Sequence, residues 1–179
     1  MKGFLRDTLT TLIIAVVIFF GLQAAVQSFE IDGPSMIPNF HDGQRIVVNK
    51  AVYRFHEPER GDVVIFRSPN SQQDDYIKRI IGLPGESVEI KEGTVYIHRG
   101  DDNVLPLDES YLIELAEQAF KGDIIPDNEY FVLGDNRKNS NDSRHGWMLP
   151  RQNIIGKVWL SIWPPDEWGL MPDYTYRGE

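Results

Sequence analysis

With 179 residues, no cysteine and a formal net charge of −9, this chain has room for one elaborated globular domain and no thiol chemistry. Disulfides, cysteine nucleophiles and Cys-based metal sites are excluded, so stability has to come from packing. Lys2, Arg6 and Asp7 give the first segment a balance of +1 and leave −10 on everything after it, which argues against nucleic acid as a partner, because affinity for phosphates needs concentrated Lys and Arg.

The run from Leu9 to Val26 is almost wholly apolar, with Thr10, Thr11 and Gln23 as mild interruptions, and is long enough to cross a hydrocarbon core as one helix. Lys2 and Arg6 precede it and Glu30 and Asp32 follow it. The positive-inside tendency then predicts a cytoplasmic N-terminus over residues 1–8, a single pass over 9–27 through the plasma membrane, and the remainder outside, with the lipid bilayer as a permanent partner. A cleaved export signal begins in the same way, but this apolar run exceeds the usual length of such a region, and Ala24-Ala25-Val26-Gln27 is a poor small-x-small cleavage site.

Beyond the span the chain reads as mostly β, because short apolar or alternating runs are repeatedly bounded by Gly, Pro, Asn and Asp. Strands are expected at Arg45 to Asn49, Asp62 to Arg67, Tyr76 to Gly82, Ser87 to Lys91, Thr94 to His98, Glu129 to Leu133 and Ile154 to Trp163. Lys91-Glu92-Gly93-Thr94 suits a hairpin turn between the fourth and fifth of these. Leu112, Leu115, Ala116 and Ala119 recur at helical spacing within Asp108 to Lys121, which predicts a short amphipathic helix there. Trp159, Trp163 and Trp168 gather near the end; ordinary core packing accounts for them, and so does a surface resting on the bilayer.

Three stretches carry residues capable of chemistry: Gly33-Pro34-Ser35-Met36-Ile37-Pro38, Asp75-Tyr76-Ile77-Lys78-Arg79-Ile80-Ile81-Gly82, and the segment from Gly134-Asp135-Asn136-Arg137 to Ser140-Asn141-Asp142-Ser143-Arg144. Read alone, the first is a turn, the second a strand with a snorkelling lysine and the third a loop. Together they suggest a serine nucleophile with a lysine base. A serine hydroxyl must lose its proton as it attacks. A free lysine, with a pKa of about 10.4, is disfavoured as neutral amine at pH 7 by roughly 4.6 kcal/mol. Burial shifts a lysine by up to ~3 to 5 units, just enough, and Ile77, Ile80 and Ile81 supply an apolar setting for Lys78.

On these motifs, in this order and spacing, the chain resembles the type I signal peptidases, membrane-bound Ser-Lys proteases that remove signal peptides from exported proteins. The likeness extends from the membrane segment through Gly61-Asp62-Val63-Val64-Ile65-Phe66 to Ser161-Ile162-Trp163-Pro164. It implies an antiparallel β catalytic core over 28–82 and 125–169, a small β-rich insertion over 83–124 and a tail over 170–179. It also implies a reaction without cofactor or metal, exported preproteins with cleavable signal peptides as substrates, and the protein-export machinery as the neighbouring partner. Ser35 would attack, Lys78 would serve as base and form the acyl-enzyme pathway with it, and Ser140 would hydrogen-bond and orient the lysine amine. Asp135, Arg79, Asp142 and Arg144 would act as scaffold. Ile31, Met36, Phe40, Tyr76 and Ile77 would line the substrate pockets. The family motif Ser-Met-x-Pro-Thr-Leu departs here to Asn39 and Phe40, a change expected to bear on cleft shape. Gly33 stands where some relatives direct a serine hydroxyl at the oxyanion, so the backbone N–H of Ser35 is the natural donor.

Rival chemistries fare less well. A Ser-His-Asp site using His145 lacks the Gly-x-Ser-x-Gly elbow around Ser35, and the four histidines show no His-Glu-x-x-His pairing. A self-cleaving repressor is opposed by the span and the acidic charge. A membrane-tethered β-domain that binds peptides without cutting them would have no need of Ser35, Lys78 and Ser140 together.

Overall fold

In the computed structural model, which describes residues 2–71, 74–100, 103–172, 174 and 176, the chain begins as helix α1 (Lys2–Ala25). Large apolar side chains stand exposed along it from Phe4 to Leu22, and the stretch Arg6–Ala25 has a mean hydropathy of 2.1. A helix apolar on all sides needs an apolar surrounding, and its 24 residues reach about 36 Å at 1.5 Å per residue, enough to span a bilayer. The hydroxyls of Thr8, Thr10 and Thr11 donate to the carbonyls four residues back, so these three threonines are satisfied within the helix. The helix stops at Ala25, two residues short of the expected 27, because Val26 is already paired in a sheet and the Lys50 N–H caps the Ala25 carbonyl at 2.8 Å.

Twelve strands follow among the described residues: β1 (Val26–Glu30), β2 (Arg45–Asn49), β3 (Val63–Arg67), β4 (Asp75–Gly82), β5 (Ser87–Lys91), β6 (Thr94–His98), β7 (Val104–Pro106), β8 (Phe120–Lys121), β9 (Glu129–Leu133), β10 (Leu149–Pro150), β11 (Ile154–Trp163) and β12 (Gly169–Leu170). All pairings are antiparallel. One sheet runs β1-β2-β11-β3-β4-β9-β10 with β12 on β11; the other runs β7-β6-β5-β8. All seven expected strands are present, two of them with an end moved by one residue. The unanticipated ones are β1, which continues the apolar membrane run, and four strands of two or three residues, too short to show a period of two.

Strands β3 and β4 are buried on both faces, which is why they read as continuous apolar runs. Val63, Ile65 and Ile77 join one core with Met36, Phe40 and Ile46, while Val64, Phe66 and Ile80 join another with Trp147 and Leu149. The second sheet has a single buried face, and β5 and β6 alternate cleanly. Its Val88, Ile90, Val95 and Ile97 pack with Ile81, Phe131 and Leu133 of the first sheet. The turn between β5 and β6 has Glu92 and Gly93 both at positive φ, 50° and 83°, as a two-residue hairpin of the primed type requires.

The helix expected from Asp108 to Lys121 is absent; the segment runs as turns and extended chain into β8. Tertiary contacts outweigh its helical spacing. Glu109 is drawn into a buried pair with Arg137, Leu115 covers the Gly93 turn, Ala116 enters the core, and Phe120 and Lys121 pair with β5. Core packing is likewise ruled out for the three tryptophans, since Trp159, Trp163 and Trp168 are all about half exposed or more (49%, 53% and 66%). The stretch treated as a tail is in part structural. Tyr176 is 2% exposed, and Tyr111, Tyr174 and Tyr176 meet edge to face.

Candidate active site

Ser35 lies in the loop after β1, in a compact turn closed by the N–H groups of Asn39 and Phe40 donating to the Met36 carbonyl, each at 3.0 Å. Gly33 at φ +87° takes the chain into this turn, and its N–H donates to Asp42 Oδ1 at 2.7 Å. Lys78 comes from the middle of β4, opposite Val64 of β3. Its Nζ lies 2.8 Å from Ser35 Oγ and 2.8 Å from the Ile77 carbonyl oxygen. Lys78 is 4% exposed, and burial pushes its amine down to about 8 against the opposing pull of Asp142 and Asp135.

Both groups open on a cleft of about 270 Å³ whose walls include Phe29, Ile31, Gly33, Tyr76, Ile77 and Asn141. Strand β4 pairs with β3 from Asp75 to Arg79 but with β9 only from Arg79 onward, so among the described residues its edge at residues 75–78 has no strand beside it where it borders the cleft. A larger recess of about 470 Å³, formed by residues 127–129 and 150–152, is lined by no serine, lysine or histidine.

Around the pair stands a rigid ionic frame. Asp135 accepts from Arg79 Nε and Nη2 at 2.9 and 2.7 Å, and Arg79 also donates to the Gly61 carbonyl and lies 4.2 Å over the Tyr111 ring. Burial opposes the charge on Arg79, but Asp135 more than compensates and keeps it firmly protonated. Asp142 accepts from Arg144 Nε and Nη2 at 2.8 and 2.9 Å and from the Gly134 N–H at 3.1 Å. Burial would raise the Asp142 carboxyl; Arg144 holds it below the ordinary value. Arg137 donates to both Glu109 oxygens and to the Gly134 carbonyl, a further buried pair that ties the inserted segment to this loop.

A family model described as signal peptidase, peptidase S26, matches residues 5–163. This chain belongs to the signal peptidase family. Among curated relatives it is 36% identical to a probable signal peptidase I-1 of Synechocystis sp., over 97% of this chain and 90% of the relative. It is 35% identical to signal peptidase IB of Staphylococcus aureus, over 93% and 94% respectively. Among solved structures, a signal peptidase I from Enterococcus faecalis aligns with a TM-score of 0.50 at 34% identity, covering 57% of this chain and 97% of that one.

The structure brings Ser35, Lys78 and Gly33 together and sets Asp135 with Arg79 and Asp142 with Arg144 beside them. Ile31, Tyr76 and Ile77 line the cleft. Met36 and Phe40, 0% and 2% exposed, do not; they are core residues beneath it. The bond from Ser140 Oγ to the Lys78 amine that the resemblance implies is not formed: the amine's partners among the described residues are Ser35 Oγ and the Ile77 carbonyl, and Ser140 stands instead by Asp142, where it helps to hold that carboxyl low. Asp75, one residue before the expected start of its strand, begins β4 and borders the cleft. His145 is engaged elsewhere, its Nδ1 accepting from the Asp142 N–H at 3.4 Å.

Sequence reasoning passed over Gly134 and Asn136. Asn136 donates its N–H to the Ser35 carbonyl and its Nδ2 to the Pro34 carbonyl, both at 3.0 Å. Gly134 lies so close that a Cβ there would stand 2.2 Å from Ser140 Oγ and 2.5 Å from the Ser35 carbonyl oxygen. Gly-Asp-Asn reads as turn composition, and nothing local distinguishes a turn that cradles a nucleophile from any other.

Proposed function

We propose that this chain is a membrane-anchored serine endopeptidase that removes signal peptides from exported preproteins through a Ser35–Lys78 dyad and an acyl-enzyme. The supporting observation is the 2.8 Å separation of Ser35 Oγ from the amine of a lysine that is 4% exposed. With its amine near 8, Lys78 is neutral in about one molecule in ten at pH 7, a cost of about 1.4 kcal/mol in place of the roughly 4.6 kcal/mol of a free lysine. Ser35 Oγ attacks the scissile carbonyl while its proton passes to Lys78 Nζ. The ammonium then protonates the departing amine, and Lys78, neutral again, activates the water that releases the acyl group.

The Ser35 N–H, engaged by no acceptor among the described residues, is the oxyanion donor, since the Gly33 N–H is taken by Asp42. Asn141 supplies a side-chain amide in the same cleft. An extended substrate adds as a strand to the open edge at residues 75–78, with small side chains entering between Ile31, Tyr76 and Ile77. Residues 26–35 connect the bilayer helix directly to the nucleophile, which holds the site near the leaflet where a substrate's own apolar segment ends. In this reading the N-terminus is cytoplasmic and the catalytic domain lies outside the plasma membrane, beside the export machinery.

The test is cleavage of a preprotein by the full-length protein in detergent micelles. Wild type should cut at the signal-peptide boundary, with the acid limb of kcat/KM near pH 8, and Ser35→Ala should be inert while still folded. Turnover by Ser35→Ala at the wild-type rate would end the serine reading.

A further inference from the structure

Asn39 is where this chain departs from its family's motif, and the structure places it outside the cleft. Its Nδ2 donates to Asp135 Oδ2 at 2.8 Å and to the Tyr111 carbonyl at 3.2 Å. Both partners are acceptors only, so the amide has to present its NH₂ to them. Asp135 in turn is gripped by Arg79, the residue after Lys78 on β4. A continuous polar path therefore runs from the turn carrying Ser35, through Asn39, Asp135 and Arg79, to the strand carrying Lys78. Asn136 fixes the other end of the same turn, at the carbonyls of Pro34 and Ser35.

Resting on the Ser35–Lys78 reading above, we infer that Asn39 is a positioning residue, the tie that sets Ser35 Oγ in reach of Lys78 by fastening the serine turn to the Asp135–Arg79 pair. Covalent continuity alone cannot do this, because the loop between β1 and β2 hangs from strands on the far side of β11 and β3 from β4. Without the tie, Asn136 would still hold residues 34 and 35 at one end, but the far end of the turn would keep only local bonds within residues 36–44 and the burial of Met36 and Phe40, none of which fastens it to β4. Apolar packing is non-directional, whereas two hydrogen bonds to a clamped carboxylate and a carbonyl define an orientation. An error of about 1 Å in such a pair costs roughly a hundredfold in rate.

The experiment uses the full-length protein in micelles with a fluorogenic signal-peptide substrate. Asn39→Leu keeps the branched shape and removes both donors; Asn39→Thr returns one donor. The expected result for Asn39→Leu is a fall in kcat of about tenfold or more, with KM within about twofold and faster deuterium exchange at the Phe40 and Asn136 amides. Asn39→Thr should recover most of the lost kcat. If Asn39→Leu does not accumulate as folded protein, Asn39→Ala, which also carries no donor, is read in its place against the same criteria. Wild-type kcat and exchange in the donor-free variant would overturn the proposal. So would a loss of stability with kcat and KM changing together and no recovery by threonine, since a merely structural residue behaves that way. Exchange is read without catalysis, so this outcome is separate from a failure of the dyad itself, which would appear as Ser35→Ala cutting like wild type.

Discussion

Replacing Lys78 by methionine should abolish cleavage and stabilise the fold. Methionine has nearly the same length and fills the same space, but carries no charge to desolvate. In the folded chain the amine titrates near 8, against 10.5 for the free group, a difference of about 2.5 units or about 3 kcal/mol. Below pH 8 both states are protonated, and the fold bears this cost in full. Between pH 8 and 10.5 the unfolded chain binds the proton and the folded chain does not, so wild-type stability rises with pH by that amount relative to the methionine variant. Losing the hydrogen bonds of Nζ to Ser35 Oγ and the Ile77 carbonyl takes back up to about 1 kcal/mol each. The absolute gain at pH 7 is therefore modest, while its pH dependence is the sharper quantity. The assay is urea unfolding of both full-length proteins in micelles, followed by circular dichroism from pH 7 to 11. The difference in stability should decline by about 3 kcal/mol across that range in favour of wild type. A difference independent of pH would show that the Lys78 amine is not desolvated and would remove the physical basis for its role as base.

Three further outcomes follow from the frame around the site. Gly134→Ala should cut kcat by about a hundredfold in a preprotein cleavage assay, because the new methyl meets Ser140 Oγ at 2.2 Å and the Ser35 carbonyl at 2.5 Å and must displace the nucleophile's turn. Arg137→Met should destabilise by about 3–5 kcal/mol in denaturant titration, since it strands the buried Glu109 carboxylate, whereas Arg137→Met with Glu109→Leu should recover most of that loss. At Gly33, φ is +87° and the space beside it is open, so Gly33→Ala and Gly33→Ser should each cost stability for a backbone reason; a kcat for serine well above that for alanine would show that the hydroxyl reaches the oxyanion.

Much of this architecture is legible in the sequence because it rests on local rules. Seven strands announce themselves through alternation or short apolar runs between turn residues, and the β5–β6 hairpin through Gly93, which accepts the positive φ such a turn needs. The membrane-length helix needs only a count of apolar residues. Ser35, Lys78, Asp135, Arg79, Asp142 and Arg144 are all visible as chemistry-bearing residues within three motifs.

Their pairing is another matter. Arg79 has two buried aspartates within the same loop to choose from, and only the packing of β4 against β9 gives it Asp135 while leaving Asp142 to Arg144. The segment from Asp108 to Lys121 has a helical period, yet a buried ion pair to Arg137 and two ladder residues on β5 hold it extended, a tertiary gain larger than the few tenths of a kcal/mol per residue at stake in helix propensity. The family resemblance implies Met36 and Phe40 as pocket walls, and apolarity suits Trp159, Trp163 and Trp168 to core just as well as to surface; burial puts the first two in the core and leaves the three tryptophans exposed. The sequence by itself determined which residues were present for catalysis and which backbone segments would carry them. Only the tertiary structure decided that a lysine on β4 lies 2.8 Å from a serine after β1, because that distance is set by long-range strand register and by polar ties such as Asn39 to Asp135, which no local period encodes.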